Sequence, residues 1–347
     1  MSYYYNEHAL PPLIFKLYDT VNDVTYDISD LVGDISIESN EYDSPEQMTC
    51  TIYTPEQYSP SYGVLRFWEG AICYVYLGDE KLFKGVLFKK ERSEDVRVIS
   101  CTFYSYLRYM QYSDYYTLEN GKSVADVFKE VCEKAGLEAC INVSNLKEYS
   151  LPDNAYDNKS YYDIIKDCID KHLAFTGQEL FIRDDFGVIT LNDILDCTTE
   201  FMIGDRSFVT GISYTTDIDT NTYNIIKVVR KTDEDNDSRE TIEVKDDTTQ
   251  KWWGSLQKVE EVDDSYTNEQ MQTLADELLK YHDTKNRQLQ LNLIGLPFLK
   301  AGDLIGLSIE DLGDLPYNSY VKCDSVTHSF SNNICNSAIS CTVIMDK

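Results

Sequence analysis

Positive charge is what this sequence lacks most. Lys and Arg total 31 against 60 Asp and Glu, a net charge of −29 over 347 residues. Such a chain does not neutralise phosphates, so nucleic-acid binding is excluded as its task. Docking on an anionic membrane is excluded on the same ground. No stretch reaches the roughly 18 consecutive apolar residues of a membrane helix, so no such span is expected. The opening Met1-Ser-Tyr-Tyr-Tyr-Asn-Glu-His has no basic and no apolar region, so no secretory signal is expected. The ten cysteines include no C-x-x-C pair, which argues against zinc. Nearly all lie in apolar patterns such as Ile99-Ser-Cys-Thr-Phe and Val131-Cys132, and read as free, buried and reduced. Phosphate-binding signatures of the G-x-x-x-x-G-K and G-x-G-x-x-G types are missing, as is a G-x-S-x-G elbow.

What is present is ample core material. Hydrophobic residues make up 42% of the chain and charged residues 26%, an ordinary balance that argues against disorder. The length suggests about two domains. Short segments rich in β-formers fill the first 110 residues or so: Leu13-Ile-Phe-Lys-Leu-Tyr, Ile35-Ser-Ile-Glu-Ser, Met48-Thr-Cys-Thr-Ile-Tyr and Ile72-Cys-Tyr-Val-Tyr-Leu. Turn residues at Asp19 to Asp23, Asp43-Ser-Pro and Gly78-Asp-Glu-Lys separate them, a pattern that suits a small barrel or sandwich. From about 117 the period becomes helical. Val124, Val127, Phe128, Val131, Cys132 and Ala135 share one face, with Ser123 as N-cap, Asp126 three residues on and Gly136 as the stop. Ser160 and Asp163 open a second helix whose stripe is Ile164, Ile165, Cys168, Ile169 and His172, ended by Gly177. A hairpin follows from Glu179 to Leu191, with its turn at Asp184 to Gly187.

After Gly204 strands return. Thr222 to Arg230 and Arg239 to Lys245 flank the acidic run Thr232 to Asp237. A third helix over about 268–284 carries Met271, Leu274, Ala275, Leu278 and Leu279. The two ends of the chain repeat one order: a glycine turn (Gly70, Gly302), a strand, a second strand, and a strand with Ile-Ser-Cys-Thr (Ile99, Ile339). Two units are too few for a solenoid and fit a duplicated barrel. The expected fold is α+β, predominantly β, with two tube-like β-barrel domains flanking a small α+β domain. The expected boundaries are 1–116, 117–203 and 204–347, the last with a helical insertion near 268–284.

No candidate catalytic set emerges. Asp233, Asp235 and Asp237 match calcium-loop positions, but Ser238 stands where Gly is needed and Val244 where a bidentate Glu is needed, so a solvated turn is the better reading. Asp184 and Asp185 are adjacent at a turn and are expected to point apart, unlike a glycosidase pair. Of the histidines His8, His172, His282 and His328, only His172 has a cysteine nearby on its own helix face, Cys168, and both read as core. His282 lies near a helix end where a partly positive ring is favoured. His328 reads as structural. Trp252 and Trp253 read either as packing or as a sugar- or protein-contact pair, and the 27 tyrosines suit interfaces.

Several segments together resemble one family. They are Arg183-Asp-Asp-Phe-Gly-Val-Ile-Thr-Leu191, Asn221-Thr-Tyr-Asn-Ile-Ile-Lys-Val-Val-Arg230, Trp253-Gly-Ser-Leu-Gln257, Ala275-Asp-Glu-Leu-Leu, Ala301-Gly-Asp, and Val321-Lys-Cys-Asp-Ser-Val-Thr-His-Ser-Phe330. In order and spacing they resemble the baseplate hub proteins of PBSX-like prophages and phage-tail-like bacteriocins. That family is similar to late control D proteins and to the hub of T4-type contractile tails. The resemblance implies a structural, non-enzymatic virion component of a contractile injection system, made in the bacterial cytoplasm. It implies a homotrimer whose six barrels adapt a six-fold tail tube above to a three-fold spike below. LysM-type and wedge proteins of the baseplate and the tape measure protein are the further partners implied. It implies no cofactor, no metal, no nucleic-acid binding and no membrane insertion. A negatively lined bore would repel DNA, or favour cation flow in a particle without DNA. A tail-associated peptidoglycan hydrolase and a cell-wall carbohydrate-binding module are the alternatives.

Overall fold

The computed structural model describes residues 10–40, 44–54, 65, 67–92, 97–204, 209–231, 239–262, 264, 266–310, 312–315, 319–331 and 334–344. His8, the Asp43 turn position, the run Asp233 to Asp237 and Ser238 lie outside the described residues.

The fold is α+β and predominantly β. Alternation builds the strands of the first region. In Gln47–Tyr53, Met48, Cys50 and Ile52 are buried while the residues between them are not. They join Phe15, Phe83 and Phe103 in one core, and each such side chain contributes about 1.5–3 kcal/mol by leaving water. Along the sheet the order is Val32–Asn40, Gln47–Tyr53, Val98–Tyr104, Glu80–Arg92, Ile72–Leu77, Leu13–Asp19, Val24–Asp27. The last region runs Val209–Asp217, Asn286–Ile294, Ile334–Ile344, Ser319–Ser331, Leu304–Ser308, Thr198–Gly204. The first five places of the two series match in topology. The sixth differs: Leu13–Asp19 joins antiparallel and Thr198–Gly204 parallel.

The match extends to single hydrogen bonds. The Gly70 N–H donates to Leu87 O at 2.8 Å and the Leu87 N–H to Ala71 O at 2.8 Å. In the last region the Gly302 N–H donates to Cys323 O at 2.8 Å and the Cys323 N–H to Asp303 O at 2.9 Å. One residue later each long strand bulges, at Phe88 and at Asp324. Leu87 pairs with Phe103 and Cys323 with Cys341. Phe103 and Cys341 are therefore equivalent, and the two Ile-Ser-Cys-Thr strings stand two residues out of step. A two-residue shift keeps every side chain on its face, which is why the strings still look alike.

Neither half closes into a barrel among the described residues. Instead the two halves share one sheet. Val32–Asn40 lends its free edge to the far half of Ser319–Ser331, from Ser325 opposite Asn40 to Phe330 opposite Ile35. The pairing covers an edge in each half that would otherwise be exposed.

Between the halves lie α1 (Val124–Lys134) and α2 (Tyr161–Thr176), packed on the hairpin Leu180–Asp185 and Val188–Asp193, with Ala139–Asn142 parallel to the latter. The expected caps are in place. Ser123 and Asp126 form a capping box, Ser160 accepts from the Asp163 N–H, and Gly136 and Gly177 take positive φ of 69° and 62°. The third expected helix is α4 (Asn268–His282), capped by Thr267, and α3 (Asp247–Trp253) precedes it. The strands Ile225–Lys231, Arg239–Lys245 and Gln257–Val262 pair only with one another among the described residues. With α4 they enclose a separate core of Ile226, Val228, Met271, Leu274 and Ala275, and Phe175 of α2 packs against it.

Candidate functional site

The largest gathering of buried charge lies where the three regions meet. Asp184 comes from the hairpin and is 2% exposed, whereas Asp185 beside it is exposed. The two point apart, as a strand requires. Asp184 accepts the backbone N–H of Tyr106 at 2.6 Å and that of Gly187 at 2.5 Å. It therefore fixes its own turn and ties the hairpin to the end of the first region. Burial pushes its pKa up, opposed by those N–H bonds and by Lys300. Lys300 Nζ lies 3.5 Å from both Glu46 Oε2 and the Asp184 carbonyl. Burial likewise raises the Glu46 pKa, and Lys300 opposes it. Two further pairs cross the junction: Arg183 to Asp303 at 2.7 Å and Lys322 to Glu179 at 2.6 Å. The Ala301 N–H donates to Ser39 Oγ at 3.1 Å. The arrangement is a clamp. Its carboxylates hold backbone amides, two ammonium groups and a guanidinium.

The other candidates also resolve into structural parts. His172 and Cys168 share a helix face without forming a dyad. His172 Nε2 lies 3.1 Å from Gln178 Oε1, and Cys168 Sγ meets Tyr156 Oη at 3.8 Å. Burial pushes the Cys168 thiol up to about 12 and the imidazole below its usual range, opposite to what nucleophilic catalysis needs. The structure instead brings Cys335 Sγ to 3.9 Å from His328 Nδ1, a pairing that required the register of Ser319–Ser331 with Ile334–Ile344 to see. This pair is inert too: burial raises the thiol to about 11 and lowers the ring to about 4. His328 Nε2 lies 2.7 Å from Leu299 O, so it donates there, and Nδ1 lies 2.8 Å from Ser337 Oγ.

His282 stands at the helix end where the sequence places it. It lies at the end of α4, but Nδ1 faces Asn221 O at 3.0 Å and Nε2 faces Lys258 Nζ at 3.2 Å. An ammonium on one nitrogen and a carbonyl on the other fit a ring that accepts at Nε2 and donates from Nδ1. Val244 lies within a strand, paired with Ile226. Among the cysteines, Cys140 is exposed and Cys197 half-buried, and the other eight are buried and free. Among the described residues no group of three His, Cys, Asp or Glu side chains gathers as a metal site.

The tryptophans divide. Trp253 is half-buried, but Trp252 is 69% exposed on α3, its ring edge-on to Trp253 at 6.3 Å. Packing therefore does not account for Trp252. Other exposed apolar side chains are Met202 and Tyr320, which flank Gly306 on one face.

The model of one protein family, described as YQBQ-like, matches residues 35–339. The chain belongs to the YQBQ-like family. No curated protein matches it in sequence. Its fold is that of prophage tail proteins. This YQBQ-like chain superposes on the 43 kDa tail protein of prophage MuSo2 from Shewanella oneidensis with a TM-score of 0.68, at 12% identity, covering 94% of this chain and 98% of that one. It superposes on prophage tail protein gp18 from Listeria monocytogenes with a TM-score of 0.62, at 15% identity, covering 95% and 94%. The c3393 protein of E. coli, described as a type VI secretion component similar in structure to T4 tail proteins gp27 and gp5, gives 0.52 at 12% identity, covering 91% and 74%.

Proposed function

We propose that the protein is the baseplate hub of a contractile tail or tail-like particle. Three copies form a ring that seats the tail tube above and the spike below, with other baseplate proteins and the tape measure protein around it. One observation carries this reading: the chain holds two copies of one strand order, joined edge to edge in a single sheet. Three such chains present six equivalent halves, which is what a six-fold to three-fold adaptor requires. The likeness to prophage tail proteins supports it. We divide the chain into 1–116, 117–203 and 204–347, and the last part carries an inserted unit of three strands with α3 and α4. The role is structural and not enzymatic, and the clamped carboxylates of the junction agree with that.

The test is native mass by light scattering after gel filtration across a concentration series, alone and with the tube and spike proteins. Three times the monomer mass is expected. A chain that stays monomeric in every mixture overturns the reading, and a cell-wall zymogram would then test the hydrolase alternative.

A further inference from the structure

The seam inside the chain specifies a seam between chains. Within one chain, the edge strand Val32–Asn40 of the first half pairs with the far part of Ser319–Ser331 in the second half. Each of these strands has a counterpart whose corresponding edge has no partner strand among the described residues. Glu80–Arg92 is the counterpart of Ser319–Ser331. Both are 13 residues long, both bond to a positive-φ glycine turn, and both bulge one residue later. Beyond the bulge, residues 89–91 pair with Val98–Tyr104 on one side and with no described strand on the other. Val209–Asp217 is the counterpart of Val32–Asn40. Both are nine residues long, both hold a register shift near a glycine, and both place the residue two before their end opposite an equivalent glutamine, Glu38 opposite Gln47 and Thr215 opposite Gln288. Among the described residues Val209–Asp217 pairs with Asn286–Ile294 alone and ends the sheet.

We infer that residues 89–91 of one copy pair antiparallel with residues 215–217 of the next, in the register of the internal seam. This rests on the ring reading above, which supplies the number of copies. The register follows residue by residue. Ser325 follows the Asp324 bulge as Lys89 follows Phe88. Asn40 ends its strand as Asp217 ends its own. Ser325 faces Asn40 inside the chain, so Lys89 faces Asp217 of the next copy, Lys90 faces Thr216 and Glu91 faces Thr215. The chemistry agrees. Lys89, which also pairs with Glu91 of its own chain at 2.6 Å, lies directly across the seam from the Asp217 carboxylate, an arrangement that stabilises antiparallel pairs. In a chain of net charge −29, a lysine at one free edge and an aspartate at the other mark the edges that can meet. Residues 209–217 contain no Lys, Arg or Pro, the residues that guard an edge meant to stay alone. The contact is heterologous, since one copy offers one edge and its neighbour the other, the kind of contact that builds a ring when its rotation closes.

The experiment is site-directed cross-linking in the full chain. Glu91 and Thr215 are both exposed, and opposed positions of this kind place their Cβ atoms about 4.5–5.5 Å apart. The double variant Glu91→Cys with Thr215→Cys is treated with a short bismaleimide beside both single variants and the parent chain. At least a tenfold excess of covalent multimer over the singles is expected, with a peptide linking positions 91 and 215 in its digest. A trimer in solution without that link overturns the seam and leaves the ring standing. A chain that remains monomeric even with tube and spike present overturns both. Lys89→Glu, at an exposed site, serves as a second variant. With an unchanged circular dichroism spectrum, it is expected to raise the concentration for half-assembly at least fivefold. An unchanged assembly concentration would count against the register.

Discussion

Gly70 and Gly302 occupy equivalent turns, with φ of 92° and 86°, yet they meet different neighbours. A Cβ on Gly70 would find only Thr20 Oγ1 at 4.0 Å, whereas one on Gly302 would run into the Phe181 ring. Gly70→Ala is therefore expected to cost about 1 kcal/mol, the strain of a left-handed alanine. Gly302→Ala adds overpacking and is expected to cost about 3 kcal/mol. Urea unfolding of both variants checks the difference. At His328 the folded pKa is about 4 against an ordinary value near 6.5. The unfolded chain then binds the extra proton between those values, so the imidazole withdraws stability as pH falls from about 6.5 to about 4. The loss approaches about 3 kcal/mol at the acid end. Glu46 and Asp184, raised by burial, act with the opposite sign, since the folded state takes up their protons first. The difference in unfolding free energy between the parent and His328→Gln, followed from pH 7 to pH 4, isolates the histidine and should shrink on acidification. The sequence shows this residue as a strand histidine, but not the 2.7 Å contact to Leu299 that buries it, because that contact spans 29 positions.

The helices are the elements most legible in the sequence. Their apolar stripes, their serine caps and their glycine stops are local signals, and α1 and α2 carry all three where the sequence places them. Ser123→Ala is expected to cost about 1 kcal/mol through loss of the capping box. The strands are legible as strands but not as partners. Nothing local separates Ile225–Lys231 from the strands of the large sheet, and only the pairing shows that it belongs with α4. The internal repeat is legible for the same reason that its alignment slips: alternation encodes the face and not the register. The hairpin Leu180–Asp185 and Val188–Asp193 illustrates both sides. Its turn can be read from Asp184 to Gly187, but the reach of Asp184 to the Tyr106 N–H cannot. Asp184→Ala strands two backbone donors and is expected to cost about 2–4 kcal/mol. Asp185→Ala, one position on and exposed, is expected to stay within about 0.5 kcal/mol. Thermal melts of the pair test whether the clamp holds the regions together.

At the scale of the whole molecule, charge and duplication are the two features that the sequence displays openly. The duplication accounts for the two similar halves, which among the described residues share one sheet. Trp252 belongs to this scale as well, since it is 69% exposed among the described residues. Trp252→Ala is expected to leave the melting temperature within about 1–2 °C. If α3 faces a neighbouring baseplate protein, the same variant lowers recovery of that protein in co-purification, and unchanged recovery of every baseplate partner would exclude the contact.

The fused repeat has a genetic consequence. In a ring of six identical subunits each substitution is copied six times, and no position can adapt to a neighbour of lower symmetry. In the proposed ring of three chains, with two halves on one gene, a substitution would reach only alternate places. One half has kept a glycine that accommodates Phe181, and the other a glycine that needs only its backbone angle. In such a ring the doubled chain would let selection shape alternate seats separately while halving the number of parts to be assembled.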